Sequence, residues 1–488
     1  MKLRIKRLNF LAGRPVCMIH VNTASKLSLH VGNRVLIKNK NKKIISIVDT
    51  VSGIINENEI AVSNDIIENL KLKDKEIVEV EIIKSPHSIN LIKKKLEGHR
   101  LKRSEIFEII QNIANNSLTE VEIAFFVSAV YTRGMSLKEI KNLTDAMINV
   151  GNKINLGEKI YDKHSIGGVS GNRTTPIVVS ICAVAGLKIP KTSSRAITSA
   201  AGTVDVIETI AKVDFSINEI KEIIKKTNAC LVWGGVLGLS PTDDKIIKIE
   251  HIVNIDSPSQ LVASILSKKI SIGSKYLLID IPYGNSAKVS KKEAEKLRKD
   301  FLNLAKKFNL KIEVVLTDGS EPIGNGIGPL LEMKDIIKVL TRNKPPKDLE
   351  SRSLFLASKL LKLAGKKNPE KLATRILNSG LAYKKFQEII KAQRGNINNL
   401  NKLKPKFSYN VKIKGKKRIK HIDNKLINKL ARVAGCPEDK AAGVYIHKKK
   451  NELAINEPIL TIYAVSKEKL DHAVKFYEEN KGKIVEFY

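Results

Sequence analysis

The sequence predicts a multidomain α/β protein with an N-terminal small β-barrel-like domain, a helical domain, a central α/β domain and a C-terminal α+β domain. Three observations lead there. The hydrophobic period is two in the first 84 residues and becomes helical from Asn90 onward. From about residue 159, short apolar strands alternate with longer helical segments, the pattern of an α/β layer. The chain has 488 residues, too many for one hydrophobic core.

Residues 34–38, 43–48 and 76–83 alternate apolar and polar side chains, with turn residues at Gly32, Asn33 and Gly53, which gives a β domain over 1–84. The segment 85–87 interrupts it. Three helices are expected over 88–155, two of them opened by the reciprocal capping spacings Thr119 with Glu122 and Ser136 with Glu139; Gly151 ends the set. A further helix at about 246–275 completes this domain. Its start is marked by Ser257 as N-cap, Pro258 at the first position and Gln260 in the capping-box position. The α/β domain occupies 156–245 and 276–400, with strands at 276–281 and 311–316 around a helix at 291–308. A basic linker near 402–406 leads to the α+β domain, 405–488, with a strand pair at 443–446 and 459–464.

The composition excludes several classes. No stretch reaches the ~18 apolar residues of a membrane span, the longest being 176–187, and the N-terminus alternates basic and apolar residues as a strand does, without a cleavable signal. A cytoplasmic protein with no membrane partner is expected. The four cysteines, Cys17, Cys182, Cys230 and Cys436, form no CxxC pair, which argues against zinc and a disulfide framework. The net charge of +36 raises the question of nucleic acid. The basic residues, however, are spread along the whole chain, aromatics are few, and no RNA-binding signature interleaves them, so no specific nucleic-acid partner is expected.

Two loops carry the candidate chemistry. KHSIGGVSGNRTT, residues 163–175, sets glycines and hydroxyls directly before an apolar helix. Backbone N–H groups can converge there, and the helix N-terminus favours an anion. The alternative is a tight turn with no ligand. The spacing fits neither a Walker loop nor a dinucleotide fingerprint. SSRAITSAAGTVDVIE, residues 193–208, places Arg195 among hydroxyls and small side chains, where its fork could pair an anion.

Here the chain resembles the thymidine and pyrimidine-nucleoside phosphorylases, and within them the archaeal AMP phosphorylase branch. The signature residues are Ser193, Ser194, Arg195, Ala196, Ile197, Gly202, Thr203, Asp205 and Glu208, joined by Lys163-His164-Ser165, Gly167-Gly168 and SILSKK at 264–269. The resemblance runs from about Leu91 to the C-terminus, and the extra β domain marks the archaeal branch. It implies phosphorolysis of AMP, with CMP and UMP as further candidates, to free base and ribose 1,5-bisphosphate, without cofactor or metal. Lys163, Ser165, Ser193 and Thr203 would hold inorganic phosphate. Gly168, Ser194, Arg195, Ala196, Ile197, Thr198 and Ser199 would contact the nucleotide. Ser264 and Lys268, one helical turn apart, would meet the substrate together. Asp256 would protonate the leaving base. A homodimer or larger homo-oligomer is implied through the helical domain.

Two departures shift the substrate from nucleoside to nucleotide. Nucleoside members carry a ring-reading arginine where this chain has Ile249, and Lys288 stands where they are typically apolar; an added donor suits a 5′-phosphate, although Lys288 also reads as a surface lysine. Asp256 is ambiguous as an acid. A helix N-terminus lowers its pKa, and burial beside a base or phosphate raises it. His164 and His251 read as structural. The pair Asp243 and Asp244 suits magnesium and, with it, a phosphoribosyltransferase as runner-up; nucleoside phosphorolysis and nucleic-acid binding complete the alternatives.

Overall fold

The computed structural model describes residues 1–196 and 199–488, which divide into two compact units: Met1–Gly151 with Ser240–Ser264, and Asn152–Leu239 with Ile265–Tyr488. The first unit opens with a closed six-stranded barrel. Its strands follow the order Lys2–Lys6, Glu59–Val62, Val16–His20, Lys42–Val51, Arg34–Asn39 and Ile77–Ile83, the last pairing back onto the first. Alternation puts Leu3, Ile5, Ile19, Val35, Ile37 and Ile60 inside, none more than 1 % exposed. Closure leaves no unpaired edge.

Four helices follow where three were expected: Ser88–Leu96, Arg103–Ala114, Glu120–Arg133 and Leu137–Val150. Both capping boxes form. Thr119 accepts from Glu122 N, and Ser136 from Glu139 N, while each glutamate accepts from the cap residue's own N–H. Pro241–Val253 and the start of Pro258–Ser271 belong to the same unit. That last helix begins at Pro258 as the sequence predicts, but its capping box is absent. The Ser257 hydroxyl and the Gln260 amide are both buried without a hydrogen-bond partner, and only the Ser257 carbonyl takes up its helical bond, from Leu261 N.

In the second unit, Lys311–Asp318, Tyr276–Tyr283 and Tyr161–Ser165 form a parallel sheet in that order. Ile189–Ser193 pairs with Ala229–Trp233, also in parallel, and a bridge from Ile160 to Lys188 connects the two sets. Parallel strands need helical crossovers on their faces. The helix Thr174–Val184 is accordingly mostly apolar and buried through Ala183. Because the strands run the same way, their carboxyl ends gather on one side, where an open α/β sheet binds ligands. Residues 165, 193 and 283 are all such ends.

The C-terminal α+β region contributes an antiparallel sheet of Gly326–Ile327, Gly443–Ile446, Pro458–Ala464 and Phe407–Lys412. The first of these strands comes from the α/β segment, so the two regions share one sheet. The predicted pair at 443–446 and 459–464 is antiparallel, with Val444 opposite Ile462.

Candidate active site

The first loop leaves the strand Tyr161–Ser165 and enters the helix Thr174–Val184. Gly167 and Gly168 both have φ of 86°, a region costly for any residue with a Cβ. Gly168 has a second reason to be glycine: a Cβ there would lie 2.5 Å from Lys288 Cβ and 2.6 Å from Lys288 N. The loop of Lys288 therefore packs directly on the first loop. Ser170 fastens the turn, its N–H donating to Asn424 Oδ1 at 2.9 Å and its hydroxyl to Asn424 O at 2.8 Å. Asn424 in turn donates to Ser286 Oγ at 3.0 Å and Gly319 O at 2.9 Å. One buried asparagine thus joins three loops at the strand ends.

Lys163 is 1 % exposed, and its Nζ donates to Thr174 Oγ1 at 3.0 Å and Thr175 Oγ1 at 3.4 Å. Both are neutral hydroxyls. Burial pushes its pKa down to about 8, and the charge of nearby Asp280 opposes that fall. The Ser165 hydroxyl, at the strand end, is buried without a partner. A lysine without a contacting carboxylate among the described residues, close in sequence to an unsatisfied hydroxyl, has the chemistry to receive an anion. His164 is held neutral, its pKa driven well below the usual imidazole value by burial and then by Lys191, Lys269, Lys268 and Lys163. It fits the structural reading.

The second loop differs from its expectation. Arg195 does not present an open fork: NH1 and NH2 donate to Glu208 at 2.9 and 2.8 Å, and the guanidinium lies 4.8 Å from the Trp233 ring centroid. A bidentate carboxylate already occupies the geometry that an anion would need. Asp205 accepts from the N–H groups of Ala196 and Gly202, each at 2.7 Å. A Cβ on Gly202 would lie 2.7 Å from Ser194 O, so the loop folds back tightly on itself. Thr203 Oγ1 accepts from Arg173 at 3.2 Å, Ser199 Oγ donates to Ala201 O at 3.0 Å, and Ser193 O accepts from Gly234 N at 3.0 Å. Ser194 is exposed, and Ile197 and Thr198 lie outside the described residues.

Lys268 and Lys288 are half-buried in this unit, Lys288 lining a cleft of about 560 Å³ with Lys291 and Lys425. In the first unit, Asp256 is exposed just ahead of the helix Pro258–Ser271, and buried Ser264 donates to Asp243 Oδ2 at 3.0 Å. Asp243 is thus engaged with a predicted substrate residue. All four cysteines are free and buried, with thiol pKa values raised foremost by burial, that of Cys17 to about 12. None is poised as a thiolate nucleophile.

Sequence reasoning missed Asn424, Asp162, Lys191 and Lys269. Asn424 left no local signal. Lys191, in an otherwise buried strand of sequence IPKTS, did: a lysine there requires an internal partner.

Two domain models of one family match the chain. The helical bundle domain of the glycosyl transferase family covers residues 89–151, and the a/b domain of that family covers 157–383. The protein is accordingly a glycosyl transferase of that family. It is 41 % identical to AMP phosphorylase of Thermococcus sibiricus over 97 % of this chain and 96 % of the relative. It is 37 % identical to AMP phosphorylase 1 of Archaeoglobus fulgidus over 99 % and 98 %, and 41 % identical to AMP phosphorylase of Methanocaldococcus jannaschii over 91 % and 90 %. The chain belongs to the AMP phosphorylase family. Its fold is also similar to the crystal structure of anthranilate phosphoribosyltransferase from Thermus thermophilus, with a TM-score of 0.53 at 17 % identity, over 62 % of this chain and 99 % of that one. At that identity the likeness concerns fold alone.

Proposed function

We propose that the protein cleaves AMP with inorganic phosphate, releasing adenine and ribose 1,5-bisphosphate, and that CMP and UMP are further substrates. The observation that carries this reading is Lys163: a buried ammonium contacting hydroxyls, at the carboxyl end of a parallel strand, in a chain with near-full-length AMP phosphorylase relatives. In phosphorolysis a phosphate oxygen forms a bond to the anomeric carbon as the bond to the base nitrogen breaks. The transition state resembles an oxocarbenium ion, so the attacking anion must be held and the departing base must gain a proton.

Lys163, Ser165, Ser193 and Thr203 supply the donors for phosphate. Gly168, Ser194, Arg195, Ala196, Ile197, Thr198 and Ser199 serve the nucleotide, with Arg195 also held by Glu208. Lys288, beside Gly168, takes the 5′-phosphate, and Ser264 and Lys268 meet the substrate together. Asp256 delivers the proton. Oligomerisation through the helical domain is part of the same reading; the exposed apolar side chains Val121, Phe125 and Tyr131 on one helix support it. A cytoplasmic location agrees with four free cysteines.

The test is incubation of AMP, adenosine or thymidine with phosphate, followed by detection of free base and sugar phosphate. Preferential cleavage of adenosine or thymidine would overturn the nucleotide assignment. Asp256→Asn is expected to abolish turnover with nucleotide binding nearly intact; unchanged turnover would remove Asp256 from its role.

A further inference from the structure

Behind the phosphate loop lies a buried charge cluster that the roles above do not use. Asp162 is fully buried, with Lys269 at 2 % and Lys191 at 4 % exposure. Lys269 Nζ lies 2.6 Å from Asp162 Oδ2, and Lys191 Nζ lies 3.9 Å from Asp162 Oδ1. Oδ1 also accepts the main-chain N–H of Lys163 at 2.7 Å. Lys191 makes one further bond, to Thr192 O at 2.7 Å. Burial drives the Lys191 pKa well down, as does the nearby Lys269, and Asp162 opposes them.

A buried ion pair is a poor device for stability alone, since desolvating both charges offsets most of their attraction; setting a register is its better-attested use. The sequence positions fit that use. Asp162 immediately precedes Lys163 in the strand Tyr161–Ser165. Lys269 immediately follows Lys268 in the helix Pro258–Ser271. Lys191 is two residues before Ser193 in the strand Ile189–Ser193, hence on the same face of it. Each member of the cluster sits beside a residue assigned to substrate, and each lies on a different element.

We infer that Asp162 is a positioning residue: by engaging Lys269 and Lys191 together, it fixes the mutual register of the three elements that present Lys163 with Ser165, Ser193 and Lys268 to phosphate and nucleotide. The inference rests on the phosphorolytic reading for those ligand roles. Because Asp162 contacts no substrate itself, its effect passes through all three elements. Both substrates should lose affinity together, whereas loss of a direct phosphate ligand falls mainly on phosphate.

The experiment compares wild type with Asp162→Asn, Lys269→Met, Lys269→Arg and the double variant D162N/K269M, which removes the Asp162–Lys269 pair together and leaves Lys191 with its bond to Thr192 O. Melting temperature and circular dichroism establish folding. The KM for phosphate, the KM for AMP and kcat are then measured, with calorimetric binding of inorganic phosphate and of AMP as an activity-independent reading. The double variant is expected to fold, to raise both KM values and both dissociation constants at least tenfold, and to lower kcat by about 100-fold, the usual effect of misplacing groups by about 1 Å. Lys269→Arg, which keeps a charged partner, should recover most of the loss. If the double variant folds with both KM values, kcat and both dissociation constants within threefold of wild type, the pair is merely structural and the inference falls. Equal losses in Lys269→Arg and Lys269→Met would overturn it too. If wild type releases no base from AMP with phosphate, the functional reading fails separately, and the dissociation constants still decide the role of Asp162.

Discussion

The two glycine-containing loops at the strand ends look alike in sequence, yet the structure uses their cations in opposite ways. In the loop 163–175, Lys163 is buried against hydroxyls and the Ser165 hydroxyl has no partner, while the second cation, Arg173, pairs with Glu332. In the loop 193–208 the cation is bound twice by Glu208 and covers Trp233, while Asp205 collects main-chain N–H groups. In the first loop the Lys163 ammonium contacts only neutral hydroxyls among the described residues. The second is braced internally. A basic residue among glycines and serines can therefore receive an anion only when no carboxylate is bound directly to it, and that depends on what folding brings to it.

The comparison is most sharply broken or confirmed at Lys163. Lys163→Met should lower kcat/KM by about 100- to 1000-fold, the cost of removing a donor from a developing charge, with the effect concentrated in phosphate. Its melting temperature should stay level or rise, because a buried ammonium is removed. Steady-state kinetics beside a thermal melt checks both.

In the second loop the largest effect should fall on folding. Asp205→Ala leaves two main-chain N–H groups without their acceptor and should cost about 3 kcal/mol, readable by chemical denaturation, with the loop 194–203 exchanging its amides faster. Unaltered stability would mean that the loop is not braced through Asp205.

A smaller effect concerns pH. The Lys163 pKa is lowered to about 8, so its ammonium is present below that pH and lost above it. Phosphate affinity measured by calorimetry should weaken as pH rises through about 8 in wild type and lose that component in Lys163→Met.

The smallest effect belongs to Glu208, whose pKa the Arg195 hydrogen bonds, opposed by burial, hold at about 2, below the ordinary glutamate value of 4.5. A carboxylate with a depressed folded pKa stabilises above its unfolded pKa, and that contribution disappears as pH falls from 4.5 towards 2. Partial exposure limits it to about 1 kcal/mol. Glu208→Gln should flatten the acid limb of the melting curve by that amount.

These contrasts also show what the sequence could reveal. Barrel alternation, two of the capping boxes and the strand-to-helix order were legible because each is a local pattern set by nearest neighbours. Lys163 was legible as a cation beside glycines at a helix start. The occupied fork of Arg195 was half legible: Glu208 stood in the same motif, but its distance from Arg195 depends on a backbone reversal that permits nothing larger than Gly202. The Ser257 and Gln260 box failed because the spacing allows the reciprocal bonds without requiring them, and both side chains are buried away from such partners. Asn424 was not legible at all. It meets Ser170 from 254 residues away, and no local spacing encodes such a meeting.

The most direct measurement is adenine release from AMP titrated with phosphate, run in parallel for wild type, Lys163→Met and Arg195→Met. Saturable, phosphate-dependent release in wild type is predicted, with the phosphate KM raised at least tenfold more by Lys163→Met than by Arg195→Met. A phosphate KM that rises as far or further in Arg195→Met would contradict the division of work between the two loops.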